Sequence, residues 1–80
     1  MTTAELQKAL DQIYVPRDYY SINKGGLPNE KLCIVNDGGW CVYYSERGHK
    51  VGLKYFETES AACEYFYNKM KKYSIYYGTL

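Results

Sequence analysis

The amino-acid sequence predicts an α+β domain: an antiparallel sheet of three or four strands, with an N-terminal and a C-terminal helix on one of its faces (α-β-β-β-β-α order). Apolar residues recur at helical spacing near both ends of the chain. Between them lie short runs of β-branched and aromatic residues, separated by turns that contain Gly. The 80 residues are predicted to form a single domain, residues 1–80, because a chain of this length buries one small core.

The first helix is predicted to begin after Thr2. Thr2 and Glu5 have the spacing of a capping box, in which the hydroxyl and the carboxylate each accept a hydrogen bond from a free backbone N–H. The apolar stripe that follows consists of Leu6, Ala9, Leu10 and Ile13. Pro16 ends the helix, because proline lacks the backbone N–H and disfavours a helical conformation at the residue before it.

The segments predicted to be strands are residues 19–22, 31–35, 40–45 and 50–56. β-Branched and aromatic residues dominate the last three of them. Residues 36–39 and 46–49 join these three into two hairpins, because their glycines supply the positive φ angles that tight turns need. The composition of residues 23–29 predicts a loop.

The register of the strands follows from the lengths of the loops at 37–39 and 46–49. The predicted pairs are Tyr44 with Val51, Val42 with Leu53, Trp40 with Tyr55, Ile34 with Val42 and Leu32 with Tyr44. These pairs gather the larger apolar residues on the face toward the helices. A slip by one residue would invert a strand. The run 31–35 leaves that alternative open, because Cys33 and Val35 make its other face nearly as apolar.

The opposite face of the sheet is predicted to be partly open to solvent. Its residues mix apolar and aromatic side chains with cations: Cys33, Val35, Cys41, Tyr43, Ser45, Lys50 and Lys54. Tyr43 is expected to face outward there, with Glu46 and Arg47 on the hairpin beyond it.

The second helix is predicted to begin at Thr58 or Ser60, since either hydroxyl can cap it. Its apolar stripe consists of Ala62, Phe66, Met70 and Tyr73. Lysines near its C-terminal end suit the helix dipole. Residues 75–80 are expected to be a short tail that folds onto the domain or frays.

Charge and hydropathy argue against two classes of protein. Ten basic and nine acidic side chains give a net charge of +1, whereas nucleic-acid-binding domains usually carry a large basic excess. No apolar run approaches the roughly 20 residues that cross a bilayer. The first residues lack the pattern of a secretory signal. We therefore expect a cytoplasmic protein that does not bind membranes.

Cysteine and histidine are too few and too scattered to indicate a site. The three thiols are expected to be free, and in the predicted register Cys33 and Cys41 are diagonal neighbours, a poor geometry for a disulfide. His49 lies in a turn, far from the spacing of a zinc site, and no carboxylate pairs with another inside an apolar segment. No metal, cofactor or catalytic group is predicted, and we do not expect an enzyme.

Tyrosine is unusually frequent, with 11 residues against two Phe and one Trp. Its ring and hydroxyl suit half-buried positions and contact surfaces, which favours a protein that binds another protein. The predicted partner-binding residues are Tyr43, Glu46, Arg47, Lys54, Glu64, Tyr65 and Tyr67.

Two stretches of the chain resemble a known family. Residues 40–48 follow the pattern W-x-V-Y-Y-x-E-R-G. The second stretch, residues 53–66, begins with Leu53-Lys54-Tyr55-Phe56 and follows F-x-[ST/DE]-E-x-x-A-C-x-Y-[FL] from Phe56 onward. These patterns resemble small immunity proteins encoded beside bacterial polymorphic toxins, including those of contact-dependent growth inhibition. The resemblance covers residues 30–70 and not the first helix. It implies a non-enzymatic protein that binds and blocks one cognate toxin domain in the producing cell, and it carries over no binding residues.

Two other functions stay open at this point. One is a regulatory or adaptor module that binds a host protein. The other is a small nucleic-acid-binding domain, for which Tyr43, Lys50 and Lys54 on the open face would serve as a stacking platform. A toxin gene beside this one would favour the immunity protein, and salt-sensitive binding of RNA or DNA would favour the nucleic-acid-binding domain. A free strand edge could also pair two copies of the chain into a homodimer.

Overall fold

The computed structural model describes residues 1–24 and 30–74. Its helices and strands are α1 (Thr3–Gln12), β1 (Tyr20–Ile22), β2 (Lys31–Asn36), β3 (Trp40–Glu46), β4 (His49–Phe56) and α2 (Glu59–Met70). Short 3-10 turns occupy Arg17–Tyr19 and Lys71–Tyr73. The predicted α+β class and order of elements are confirmed. The predicted tail at 75–80 and most of the predicted loop at 23–29 lie outside the described residues.

The sheet is mixed, so the prediction of a wholly antiparallel sheet is wrong. Its strands lie in the order β1-β2-β3-β4, and β1 runs parallel to β2 with Tyr20 opposite Leu32 and Ile22 opposite Ile34. A two- to five-residue turn would have enforced an antiparallel pair, but residues 23–30 separate these two strands.

Both helices begin with the caps that the sequence predicts. In α1 the Glu5 backbone N–H donates to the Thr2 hydroxyl (3.2 Å), and the Thr2 N–H donates to the Glu5 carboxylate (2.7 Å). In α2 the cap is Thr58, one of the two predicted candidates, whose hydroxyl accepts from the Ala61 N–H (3.1 Å). These bonds satisfy N–H groups that the first turn leaves free.

The main core lies between the helices and one face of the sheet. Its buried residues are Leu6, Leu10, Val15, Tyr20, Ile34, Val42, Ala62, Cys63, Phe66 and Met70. Both predicted helical stripes contribute to it. Tyr73 is the exception: it lies in the 3-10 turn after α2 and is 44% exposed, because the change of helical pitch carries it off the buried stripe.

A second, smaller cluster covers the opposite face of the sheet. It consists of Cys33, Val35, Cys41 and Tyr43. Tyr43 lies on the predicted face, but the prediction that it is displayed there is wrong, because only 2% of it is exposed. Cys33 lies opposite Tyr43 and Val35 opposite Cys41, so these side chains on the two central strands pack beside one another.

The register between β2 and β3 is the predicted one, with Ile34 opposite Val42 and Leu32 opposite Tyr44. The hairpin between β3 and β4 is tighter than predicted. Glu46 pairs with His49, and the two residues between them, Arg47 and Gly48, both have positive φ. That geometry is typical of the two-residue turn whose twist matches paired strands.

A bulge at Gly52 changes the register of β4. Tyr44 pairs with Val51 as predicted, but beyond the bulge Val42 pairs with Lys54 and Trp40 with Phe56. Gly52 has a φ of +65° and adds one residue to β4 at this point. The predicted pairs of Leu53 with Val42 and Tyr55 with Trp40 are therefore wrong.

The bulge also exchanges the faces of the residues that follow it. Lys54, opposite Val42, lies on the helix side of the sheet and not on the open face, where we expected it. Tyr55, opposite Cys41, lies on the face away from the helices. An extra residue reverses the alternation of side chains along a strand, so every later residue changes side.

Candidate protein-binding surface

The most exposed element of the described chain is β4, which forms one edge of the sheet and pairs only with β3. Residues 49–55 of this strand are all exposed. Three of them have large apolar side chains: Val51 is 46% exposed, Leu53 41% and Tyr55 65%. The outer edge of such a strand presents unpaired backbone N–H and C=O groups. We call residues 49–56 the β4 edge.

Two features of the β4 edge limit its pairing with other strands. The first is the Gly52 bulge, which disrupts a regular ladder. The second is a pair of lysines on opposite faces, since Lys50 lies opposite Ser45 and Lys54 opposite Val42. Bulges and edge lysines are devices that discourage indiscriminate strand pairing. The edge is therefore open to a partner that complements it and unfavourable to others.

The structure brings two predicted partner-binding residues, Lys54 and Tyr65, together. The Lys54 ammonium lies 5.0 Å from the centre of the Tyr65 ring, and the Lys69 ammonium lies 5.2 Å from the same centre. The Phe56 ring packs against Tyr65 with 5.1 Å between centres. Sequence reasoning missed Lys69, although it follows Tyr65 by four residues, the spacing at which helical side chains meet.

Next to this cluster a groove of about 410 Å³ runs between the sheet and the C-terminal end of α2. Its described lining residues are Asp18, Tyr19, Glu30, Leu32, Tyr44, Lys69, Met70, Lys72 and Tyr73. The Tyr19 and Tyr73 rings meet edge to face with 5.3 Å between centres, and the Lys72 ammonium lies 5.3 Å from the centre of Tyr73. We call this site the α2 groove. No predicted partner-binding residue lies among these.

The other predicted partner-binding residues are dispersed. Tyr43 is buried in the second cluster and offers almost no surface. Glu46 and Arg47 are exposed at the β3–β4 hairpin. Glu64 is exposed on α2, whereas Tyr67 is half-buried against the main core. Of the seven predicted residues, Lys54 and Tyr65 are the pair that the described structure brings into contact on the surface.

Within the described residues the charged side chains form a single ion pair, between Arg17 and Asp11 (2.6 Å). Hydrogen bonds from Arg17 hold the pKa of the Asp11 carboxyl below its usual range. Four of the lysines instead face rings: Lys50 lies over Tyr43, Lys54 and Lys69 over Tyr65, and Lys72 over Tyr73. Cation–π contact orients an ammonium group while leaving its N–H donors available.

The three cysteines are free and buried. Burial raises the pKa of Cys33 and Cys41, and it raises the pKa of Cys63 to about 11. Since the thiolate is the reactive form, these thiols are poor nucleophiles near neutral pH.

In residues 1–24 and 30–74, no three His, Cys, Asp or Glu side chains come close enough to hold a metal ion. Neither α1 nor α2 is long and apolar enough to cross a membrane. The chain matches no protein-family model, no curated protein and no solved structure.

Proposed function

We propose that the protein binds another protein, and that it is an immunity protein which neutralises a cognate bacterial toxin domain by covering it. The observation that carries the proposal is the β4 edge. Val51, Leu53 and Tyr55 remain exposed there, on a strand whose outer side pairs with no other described strand, although the chain has buried apolar clusters on both faces of the sheet. Exposed aromatic and apolar groups supply contact area, and a strand edge supplies directional hydrogen bonds.

The choice of a toxin as partner rests on the resemblance to immunity proteins. Residues 40–48 belong to β3 and the hairpin, and residues 53–66 run from the second half of β4 into α2. The stretches that carry the resemblance therefore adjoin and partly overlap the β4 edge, and they include Tyr65. We propose that the complex forms in the cytoplasm of the producing cell, where it protects that cell.

The net charge of +1 bears on how the partner is bound. Electrostatic steering speeds association when two proteins carry large opposite net charges, and the net charge of this chain is small. The proposed complex is held by local packing, strand-edge hydrogen bonds and a few lysines. We therefore expect its affinity to depend only modestly on ionic strength.

Co-expression tests the proposal. A toxin domain encoded beside this chain is produced in a sensitive bacterial strain with and without it. We expect wild-type protein to restore growth and to co-purify with the toxin, and Tyr55→Ser to weaken both. The matched control is Tyr14→Ser, because Tyr14 is 58% exposed but follows α1. No protection by wild-type protein, with both proteins expressed, would contradict the proposal. Capture of a host regulatory protein in place of a toxin would favour the adaptor function.

A further inference from the structure

The α2 groove has an apolar floor and aromatic walls. Leu32 and Met70 line it beside Tyr44 and Tyr73, which are 38% and 44% exposed. The edge-to-face contact with Tyr19 restrains the Tyr73 ring. Restrained aromatic side chains lose little conformational entropy when a ligand packs against them.

The charges on the groove are segregated. Lys69 and Lys72 line its α2 side, and Asp18 and Glu30 line the side near β1 and β2. Within the described part of the chain neither lysine lies within ion-pair distance of a carboxylate. Each ammonium group is instead oriented by a tyrosine ring, Lys69 by Tyr65 and Lys72 by Tyr73. Two oriented cations beside an apolar floor are complementary to a carboxylate attached to an apolar group.

We propose that the α2 groove binds a partner segment in which a carboxylate adjoins an aromatic or large apolar side chain. Lys69 and Lys72 hold the carboxylate, and Tyr44 and Tyr73 pack against the apolar side chain. The inference rests on the proposed function, since the segment belongs to the bound protein, and it adds a second point of contact beyond the β4 edge.

A protein segment fits the groove better than a nucleic acid does. Asp18 and Glu30 would repel a phosphate chain that ran along the groove. A volume of about 410 Å³ holds one or two side chains, whereas a nucleic-acid strand needs an extended basic track. The segregated charges also set one orientation, with the carboxylate of the segment toward α2.

Two capped dipeptides test the site directly: N-acetyl-aspartyl-phenylalanine amide and its asparaginyl counterpart. Each is titrated into ¹⁵N-labelled protein at millimolar concentrations and followed by NMR. We expect the aspartyl probe to shift the amide resonances of Tyr44, Lys69 and Tyr73. The asparaginyl probe should bind about tenfold more weakly, since it lacks the charge that the lysines recognise.

Lysine variants test whether Lys69 and Lys72 bind the carboxylate of the probe. Lys69→Gln combined with Lys72→Gln should weaken binding of the aspartyl probe about tenfold. Lys71→Gln is the matched control, because Lys71 lies in the same 3-10 turn as Lys72 but does not line the groove. Circular dichroism of each variant verifies its fold. Equal binding of the two probes, or an equal effect of the control variant, would overturn the inference.

A single-stranded oligothymidylate is the competing probe. If it bound the wild-type protein more tightly than the aspartyl dipeptide and lost affinity in the Lys69/Lys72 variant, the groove would be a nucleic-acid site and the inference would be wrong. These titrations use no toxin, so their failure leaves growth protection as a separate test. Protection without dipeptide binding overturns the groove inference alone, and dipeptide binding without protection overturns the proposed function alone.

Discussion

Val42 of β3 lies opposite Lys54 of β4, one residue beyond the partner that simple alternation assigns to it. Gly52 causes this shift by adding a residue to β4, and its φ of +65° is one that side chains with a Cβ rarely adopt. The shift places Lys54 over the Tyr65 ring. The composition of the candidate surface thus depends on the backbone of one glycine.

Replacement of Gly52 by valine should destabilise the protein through backbone strain. Nothing lies within 4 Å of a Cβ built at this position, so steric crowding does not contribute. The left-handed conformation costs a β-branched residue about 1–2 kcal/mol, whereas asparagine tolerates it better. In urea denaturation the free energy of unfolding should therefore be highest for the wild type, lower for Gly52→Asn and lowest for Gly52→Val. A Gly52→Val protein as stable as wild type would show that the bulge is absent in solution.

Tyr43 should be a stability residue and not a contact residue. It is buried opposite Cys33, so Tyr43→Ala should lower the free energy of unfolding by about 3–5 kcal/mol. Tyr55→Ala, at the most exposed of the apolar residues on the β4 edge, should change it by less than about 0.5 kcal/mol. Thermal melting of the two variants makes the comparison. Similar melting temperatures would mean that the second cluster does not hold the sheet together.

Alkaline pH should destabilise the protein partly through Cys63. Its thiol has a pKa of about 11 when folded, raised by burial, against about 8.5 in an unfolded chain. Below the pKa of the unfolded chain, the thiol is protonated in both the folded and the unfolded protein, and its contribution to stability is complete. As pH rises toward 11 the unfolded chain ionises first and the contribution is lost.

The control for that prediction is Cys63→Ala. Between about pH 8 and pH 10 the free energy of unfolding of the wild type should fall by about 1–2 kcal/mol more than that of the variant. Urea denaturation at several pH values measures the difference. Parallel pH profiles for the two proteins would contradict the burial of this thiol.

The lysines of the β4 edge should keep the free protein from pairing with itself. Replacing both Lys50 and Lys54 by valine leaves a long apolar edge strand, which is a site of self-association. We expect sedimentation to find the wild type monomeric and the double variant dimeric or aggregated. Lys8→Val combined with Lys24→Val is the control, since both lysines are exposed and lie outside β4. A wild-type dimer whose interface is β4 would contradict the prediction and favour the homodimer that a strand edge permits.

Local signals in the sequence predicted the elements well. Thr2 with Glu5 and Thr58 marked the helix starts, because caps act within one turn. The turn at residues 37–39 set the β2–β3 register, because a short loop leaves few alternatives. Both helical stripes faced the core as their spacing indicated, except for Tyr73 in the 3-10 turn after α2.

Features that depend on tertiary context were not predictable in the same way. The parallel pairing of β1 with β2 joins two strands that are separated by too many residues for a tight turn to fix their relative direction. The Gly52 bulge looked like an ordinary glycine within an alternating strand. Tyr43 was assigned to the correct face, but its burial depends on neighbours in β2 that only the folded sheet brings beside it. The contact between Lys54 and Tyr65 also depends on the folded sheet, because the bulge at Gly52 places Lys54 on the helix side.

Hydrogen–deuterium exchange of the complex tests most directly the central claim that the β4 edge binds a partner. In the free protein, outward-facing backbone amides of residues 49–56 should exchange quickly, because no strand among residues 1–24 and 30–74 covers them. With the toxin domain bound, these amides should exchange more slowly, while those of α1 should be unchanged. A stable complex in which residues 49–56 exchange as fast as in the free protein would contradict the claim.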